Sequence, residues 1–418
     1  MKHFMSMCFI ILVVITLLFS MPILADSPGE KLIKAAKSGE VSRVQQLLSQ
    51  GAPVNTQDKD GRSALLKASQ EGHTEVVKIL LEKNADPNIK DKDLKTPLWE
   101  ASRHGHAKIV ALLIEHKADV NIAHNDGDTP LMQAVEKEKD DVALLLLKAG
   151  ADPTIADNDG NIPLLLAATH DDVNVVLKIL ESGVDLTRKD KNGMTLLMAG
   201  AKGGNQMVVR KILELTKEVD EEDNAGETAL YYAVRNDETE AAKLLIEAGA
   251  DIEHLSENHM TSLMAAAQSG KYHAVRLLLE EGARPNLMND KEKKWTAMMY
   301  AAENNESQVI SELVYGGGYV NVEDTSDDTP IHIAVRRGNS STVYELLQHD
   351  SFVNKKGGYD RKTPLEIAVD NNNTSIAETL LKEGACVTQK AMAKATQKKK
   401  EKMINLLRSY INKSCHKP

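Results

Sequence analysis

One pattern of 33 residues recurs through most of this 418-residue chain, and such a recurrence restricts the fold more than any single motif does. It is clearest from Leu94 to Asp126, where Thr96-Pro97 precedes a short apolar stretch and Gly105 separates it from a second one. Proline suits the first turn of a helix, because its missing N–H costs nothing there. Apolar residues at helical spacing follow Gly105 and predict a second helix. Asn125-Asp126-Gly127 then predicts a tight turn.

The recurrence is regular enough to define a repeat along nearly the whole chain. The threonine position returns at intervals of 33 residues six times, then 35, 33 and 34. Its members are Ser63, Thr96, Thr129, Ile162, Thr195, Thr228, Thr261, Thr296, Thr329 and Thr363. An alanine follows each of them five residues later, except in one repeat, where Gly200 takes its place.

This pattern resembles the ankyrin repeat, with its T-P-L-H-x-A and G-A-D-x-N elements. The resemblance implies an all-α repeat solenoid, an ankyrin-repeat stack in which each unit is a helix-turn-helix with a β-hairpin-like arm. About twelve helix pairs are expected. Since a solenoid grows by adding units to one thin core, chain length here counts repeats rather than domains. An aromatic content of only 4% fits a core of small aliphatic residues.

The repeat register divides the chain into five segments. Residues 1–25 lie outside it and 26–60 form an N-terminal capping repeat, which lacks the threonine element. Ten repeats are predicted over 61–387, a C-terminal capping helix pair over 388–412, and a tail over 413–418. Only His332 keeps the histidine of the repeat motif, so the hydrogen bond that the resemblance assigns to it is expected to be mostly absent.

The first 25 residues have the layout of a secretory signal peptide. A short basic start precedes an apolar run, Pro22 breaks it, and Ala25 offers a small residue for cleavage before Asp26. An uncleaved membrane anchor is the alternative, because residues 4–25 are just long enough to span a bilayer. We expect cleavage, and therefore an exported protein that is periplasmic or secreted. A single-pass anchor would instead keep it on a membrane.

Two cysteines remain in the predicted mature chain, Cys386 and Cys415. In an oxidising compartment they could form a disulfide that joins the C-terminal cap to the last repeat. Two unpaired thiols are the alternative, and the sequence does not decide between them.

The sequence offers no constellation suited to catalysis, a cofactor or a metal. The Asp58-Lys59-Asp60-Gly61 and Asp157-Asn158-Asp159-Gly160 stretches lack the closing glutamate of a calcium loop and are interpreted as turns. His104 and His106 flank a glycine at a helix-to-helix turn and are interpreted as structural. We therefore expect no enzyme activity, no cofactor and no bound metal.

The charge is unevenly distributed. The chain carries a net charge of −10, which argues weakly against nucleic acid as the main partner. Residues 387–418 nevertheless hold nine Lys and Arg against the single acidic Glu401. Lys398, Lys399, Lys400 and Lys402 could meet an anionic surface, although a solvated face of a capping helix explains them equally well.

A protein-binding surface is the strongest functional expectation. Ankyrin-like stacks bind protein along the concave side, through arm tips and the first helices, and the residue before each threonine position should lie there. Met194, Met260 and Trp295 stand at that position, where polar residues are expected. Tryptophan is enriched at binding hot spots, although Trp295 could instead fold back onto its own loop, which is two residues longer than the others. The predicted centre of the groove comprises Met194, Arg235, Met260, Gln268, Trp295 and Glu303.

The sequence therefore predicts an exported, non-enzymatic scaffold that binds a protein partner of unknown identity and is itself a monomer. A membrane-anchored or envelope-associated structural protein is the alternative, held by the apolar N-terminus or by the basic C-terminal helix.

Overall fold

A computed structural model describes residues 26–170, 173–289 and 293–411. The chain divides into two compact units, Met1–Asn158 and Asp159–Pro418. The predicted signal peptide, with Ala25 at its cleavage site, lies outside the described residues, and so does Cys415. Among the residues that are described, no helix is both long enough and apolar enough to cross a membrane.

The described part of the first unit consists of four helix pairs. Their bounds are α1 Pro28–Lys37, α2 Val41–Ser49, α3 Ala64–Glu71, α4 Thr74–Glu82, α5 Pro97–His104, α6 Ala107–Glu115, α7 Pro130–Glu136 and α8 Asp140–Lys148.

The second unit continues the same alternation of helices within its described residues. Their bounds are α9 Pro163–Thr169, α10 Val173–Leu180, α11 Leu196–Gly203, α12 Gln206–Leu215, α13 Ala229–Arg235, α14 Thr239–Glu247, α15 Ser262–Gln268, α16 Tyr272–Glu280, α17 Ala297–Asn304, α18 Ser307–Tyr315, α19 Pro330–Arg337, α20 Ser340–Gln348, α21 Pro364–Asp370, α22 Thr374–Lys382, α23 Gln389–Gln397 and α24 Glu401–Tyr410.

The threonine of each repeat starts the first helix of its pair. The Thr96 hydroxyl accepts the N–H of Trp99 at 3.1 Å, and this bond satisfies one of the helix's free N-terminal donors. Ile162 has no hydroxyl, so α9 begins without a side-chain cap. The first helix of a pair ends in a left-handed residue at several places, as at Gly105 with φ 75°, where glycine carries no Cβ penalty.

Within each unit, the core lies between the two helices of each pair and between the first helices of successive pairs. The repeat alanine is fully buried at Ala101, Ala134 and the corresponding positions. Gly200 replaces it in α11 because space is short there: a Cβ at Gly200 would lie 3.0 Å from the Cδ1 of Ile212. The isoleucine side chain thus fills the volume that alanine occupies elsewhere.

An aspartate at the start of the arm tip organises several of the arms. In five arms an aspartate Oδ1 accepts the backbone N–H groups two and four residues later, at 2.7 to 3.0 Å. These residues are Asp58, Asp91, Asp190, Asp223 and Asp324. The aspartate of the stretch at Asp58 that resembles a calcium loop therefore uses its carboxylate to close a turn, as interpreted from the sequence.

Successive arms within a unit are joined by backbone hydrogen bonds. The Lys92 N–H donates to the Asp60 carbonyl at 3.1 Å, and the Asn224 N–H donates to the Asn192 carbonyl at 2.9 Å. Below the tips, asparagine side chains also bridge arms: Asn88 Oδ1 accepts the N–H of Asp119 at 2.8 Å. Both kinds of bond fix the spacing between neighbouring repeats.

Gly61 shows how tightly the arms approach each other. It has φ 81°, and a Cβ there would lie 2.9 Å from the Lys92 nitrogen. Gly51 has almost the same φ, 83°, but a Cβ there would meet nothing within 4 Å. A substitution at Gly51 therefore tests backbone strain alone, whereas a substitution at Gly61 tests strain together with a close contact.

We expect Gly61→Ala to lower the free energy of unfolding more than Gly51→Ala does. Both substitutions carry the strain of a left-handed alanine, about 1 kcal/mol, and Gly61→Ala must also push the Lys92 backbone away. Urea unfolding of both variants measures the difference. Equal losses would show that the arms separate without cost.

Candidate functional site

The structure corrects the predicted exposure of two of the six candidate binding residues. Trp295 is only 6% exposed and Met260 only 8%, so neither presents its side chain to a partner as expected. The indole N–H of Trp295 donates to Asp324 Oδ2 at 3.1 Å, and its ring stands edge-on to Tyr300 at 5.3 Å. The alternative interpretation, in which Trp295 folds back onto its own loop, agrees with this burial and with Lys293 lying over the ring, although the indole hydrogen bond goes to the next arm.

The other four candidates remain accessible to different degrees. Arg235 and Gln268 are exposed, whereas Met194 and Glu303 are half-buried. Glu303 pairs with Arg337 of the next repeat. Their role in binding a partner stays a prediction.

A cleft of about 450 Å³ opens beside Trp295, between the arms and the first helices of the second unit. Its lining combines acidic, basic and aromatic side chains. They are Lys293, Trp295, Glu303, Asp324, Thr325, Ser326, Asp328, Ile333, Arg336, Arg337, Gly358 and Tyr359.

An ion pair between half-exposed Arg336 and buried Asp328 forms one wall of this cleft. Arg336 donates from Nη2 to both carboxylate oxygens of Asp328, at 2.9 Å each. Burial nevertheless raises the pKa of Asp328 to about 6, more than the neighbouring guanidinium lowers it. Gly357 allows the next arm to come close, because a Cβ there would lie 2.8 Å from an Asp328 oxygen. Arg336 is thus held in place by Asp328 while about half of its side chain faces solvent.

Tyr359 is the most exposed large side chain of the cleft, at 94%. It stands next to Gly358, whose N–H donates to the Ser326 carbonyl at 2.9 Å. A rigid arm therefore presents a free aromatic ring beside Arg336. Tyrosine and arginine are enriched in protein interfaces and among their hot spots.

Trp295 packs beneath the surface of the cleft and does not itself present a side chain to a partner. Lys293 Nζ lies 4.4 Å from the centroid of its ring, within the range of a cation–π interaction. The Trp295 N–H donates to Asn289 Oδ1 at 2.7 Å. Trp295 therefore supports the shape of the arm on which Lys293 is displayed.

The same pairing of an acid with an arginine occurs three repeats before the Asp328 pair. Glu227 lies 3.5 Å from Arg235 Nη1, and burial raises the pKa of Glu227. Tyr232 donates to Asp223 Oδ2 at 2.7 Å, while burial raises the pKa of neighbouring Tyr231 to about 12. Both tyrosines thus serve the arm as neutral hydrogen-bond donors rather than as acid–base groups.

His332 connects two repeats. Its Nδ1 lies 2.8 Å from the Thr329 hydroxyl, and its Nε2 lies 3.0 Å from the Lys355 carbonyl of the next arm. Glu366 makes the corresponding link in the following repeat, since its Oε1 accepts from the Thr388 hydroxyl at 2.6 Å. The cross-repeat bond expected at His332 is present, and a carboxylate reproduces it one repeat later.

Lysines of the C-terminal pair are partly neutralised by the last repeat. Lys390 Nζ lies 3.9 Å from Glu366 Oε2, and Lys394 Nζ lies 3.9 Å from Asp370 Oδ1. Lys398 Nζ donates to the Asp370 carbonyl at 2.7 Å. Lys390 and Lys394 line a second cleft, of about 480 Å³, together with Glu366 and Asp370. Cys386 is half-buried and disulfide-bonded. Because Cys415 lies outside the described residues, the pairing of these two cysteines stays a prediction.

The glycine-flanking histidines have structural partners. His106 Nε2 lies 3.2 Å from the Gln70 carbonyl of the preceding repeat, and His104 Nδ1 lies 2.9 Å from the Glu100 carbonyl. His73 makes the same kind of contact to the Lys37 carbonyl at 2.9 Å. The rings of His73 and His106 therefore cap the first helix of the preceding repeat, whereas His104 caps its own helix.

Comparison with protein families decides the classification. A model described as ankyrin repeats (3 copies) matches residues 32–124, 83–157, 116–190, 164–256, 253–324 and 299–391. The chain belongs to the ankyrin-repeat family. No curated protein matches it.

Membership of the ankyrin-repeat family confirms the predicted all-α repeat solenoid of about twelve helix pairs. Ankyrin repeats mediate protein–protein interaction in general, and the family is typically not enzymatic. The arms and first helices around the cleft are therefore the part of this ankyrin-repeat protein to examine for a partner.

Sequence reasoning missed Tyr359 and Arg336, which lie in the repeats after Trp295. One signal could have found them: all nine tyrosines of the chain lie between residues 231 and 410. Several of them are exposed, including Tyr315, Tyr319 and Tyr344.

The titration of His332 should be visible in the stability of the protein. Burial lowers its pKa to about 4, whereas an unfolded histidine titrates near pH 6.5. As pH falls from about 6.5 to about 4, the unfolded chain gains a proton that folded His332 does not, so stability decreases by up to roughly 3 kcal/mol.

Comparison with His332→Leu isolates this contribution, because leucine occupies the same position at Leu66 and Leu165. Asp328 titrates in the same window with the opposite sign, since its raised pKa favours the folded state at lower pH, and it is present in both proteins. Urea unfolding from pH 7 to 4 should show a shallower loss for the variant. Parallel curves would contradict the assignment.

Proposed function

We propose that this ankyrin-repeat protein is an exported, non-enzymatic scaffold that binds a protein partner through its arms and first helices. The cleft from Trp295 to Tyr359 is the centre of that surface. The observation that carries the proposal is the pairing of a fully exposed tyrosine with an arginine fixed by a buried aspartate. The Arg336 guanidinium is already oriented and loses little conformational freedom on binding, while the exposed Tyr359 ring offers area for a partner to bury.

The lining of the cleft indicates the chemistry of the partner. Lys293, Arg336 and Arg337 supply positive charge, while Glu303 and Asp324 supply negative charge close by. Such alternation favours a polypeptide segment that carries both polar and aromatic groups over a uniformly charged polymer. It also agrees with the expectation that nucleic acid is not the main partner.

A photo-crosslinking amino acid at position 359 tests the placement. Expressed in its native compartment, the protein should capture a partner from Tyr359 but not from Tyr315, which is 81% exposed and lies outside the cleft. Tyr315 thus controls for exposure alone. Equal capture from both positions would place the binding surface elsewhere.

Once that partner is purified, Tyr359→Ala should weaken its binding by about 1 kcal/mol or more. Tyr359 makes few contacts with the rest of the chain, so the folded state should be unchanged. Tyr315→Ala should bind as the unmodified protein does. Trp295 is a poorer choice for this titration, because its removal would disturb the Asp324 arm.

Export is the second part of the proposal, and it rests on the apolar run before Pro22 and on Ala25. Mass spectrometry of the protein recovered from its own compartment should find a mature chain beginning at Asp26. A chain that retains residues 1–25 and sediments with membranes would support the anchored alternative instead.

A further inference from the structure

One arm tip of the first unit brings a histidine and two aspartates together. A nitrogen of His124 and a carboxylate oxygen each from Asp126 and Asp128 all lie within 4.8 Å of one another. Ligand atoms around a first-row divalent ion stand roughly 3 to 4 Å apart, since each bond is about 2.1 Å long. A small closure of the tip would therefore bring the three groups to ligand distance.

This tip departs from its neighbours at the position that organises the arm. Asp58, Asp91 and Asp190 close their turns with a carboxylate at normal hydrogen-bond distance. At the same position His124 uses Nδ1 instead, and the Asp126 N–H reaches it at 3.3 Å. The turn bond to His124 is therefore longer than the turn bonds to aspartate in the other arms. Histidine stands here although aspartate closes the same turn elsewhere.

The charge around Asp128 is also unlike that of its counterparts. Asp328 is paired with Arg336, and Glu227 is paired with Arg235. The residue at the arginine's place, eight positions after Asp128, is another acid, Glu136. Gln133 Nε2 donates to both carboxylates, at 3.1 Å to Asp128 and 3.0 Å to Glu136. Glu136 pairs with Lys137 at 2.7 Å, but within the described chain no lysine or arginine forms an ion pair with Asp128. Asp128 therefore lacks the cation that its counterparts Asp328 and Glu227 have.

His124 is held in position by a buried aromatic ring. It stacks on Trp99 with ring centroids 5.1 Å apart and planes 25° from parallel. Asp126 is instead 74% exposed at its side chain. The tip therefore combines an oriented imidazole, a carboxylate oriented by an amide, and a second carboxylate that is free to move.

We propose that His124, Asp126 and Asp128 bind one divalent transition-metal ion of the Zn²⁺ and Ni²⁺ type. One imidazole nitrogen with two carboxylate oxygens suits such ions better than Ca²⁺ or Mg²⁺, which prefer all-oxygen sites. The ion supplies the positive charge that Arg336 and Arg235 supply in the related arms. Gln133, which donates to Asp128, acts as an outer-shell group that orients a ligand. Three protein ligands leave coordination positions for water.

Calorimetric titration of the untagged full-length chain with Ni²⁺, and separately with Zn²⁺, tests the proposal. One ion should bind per chain. His124→Asp is the matched variant, because aspartate closes the same turn at Asp91, so the fold is kept while the imidazole is lost. Affinity for Ni²⁺ should fall at least about 10-fold in His124→Asp and in Asp128→Asn. His104→Asn, which removes a histidine of the same unit outside the cluster, should leave it unchanged.

Trp99 gives a second readout that reports the location of the ion. Ni²⁺ bound at His124 should quench Trp99 fluorescence. Trp99→Phe should abolish that quenching while the calorimetric binding remains. Unchanged affinity in His124→Asp, equal losses in His104→Asn, or no stoichiometric binding would each overturn the proposal.

Discussion

The spacing between neighbouring arms is the constraint on which the rest of each unit depends. A repeat cannot bury the apolar side of its two short helices alone, so it is stable only against another copy. The bond from the Lys92 N–H to the Asp60 carbonyl and the Asn88 bridge to Asp119 set the distance at which copies meet. Aspartates such as Asp58 stabilise the arm tips at this distance, because their carboxylates accept hydrogen bonds from backbone N–H groups that would otherwise have no partner.

The same geometry explains where chemically distinctive groups can lie. The apolar helix faces pack in the core. Side chains that do not take part in this packing lie on the arms and on the outer turns of the first helices. Arg336 and Tyr359 lie there, and Asp328 holds Arg336 in place at the cost of a carboxylate that is difficult to ionise. In the first unit, the corresponding Asp128 has Glu136 instead of an arginine nearby. Repeats that are nearly identical in backbone therefore differ in local charge.

Most of the fold could be predicted from the sequence, because threonine, proline, alanine and glycine have one physical role at each repeat position. The candidate site could be predicted only in part. Trp295 was correctly singled out as unusual, yet its burial depends on Asp324, which lies 29 residues later and belongs to another arm. The repeat period predicts which positions face the same side of the stack. It does not predict whether a large ring packs on its own loop or on the next arm. Tyr359 follows a glycine pair that breaks the motif, so alignment to the repeat concealed it.

The left-handed residue at each arm tip has a consequence for specificity. In the earlier arms this position is glycine at Gly61, Gly127, Gly160, Gly193 and Gly226 and the apolar Leu94 once, whereas the later tips carry His259, Lys294, Asp327 and Arg361. Each non-glycine residue in that conformation costs on the order of 1 kcal/mol. The later arms carry this conformational strain, but each presents a side chain with a different functional group where glycine has none. The polar tip side chains that differ between repeats therefore lie in consecutive arms. A surface that varies in this way can discriminate one ligand from another.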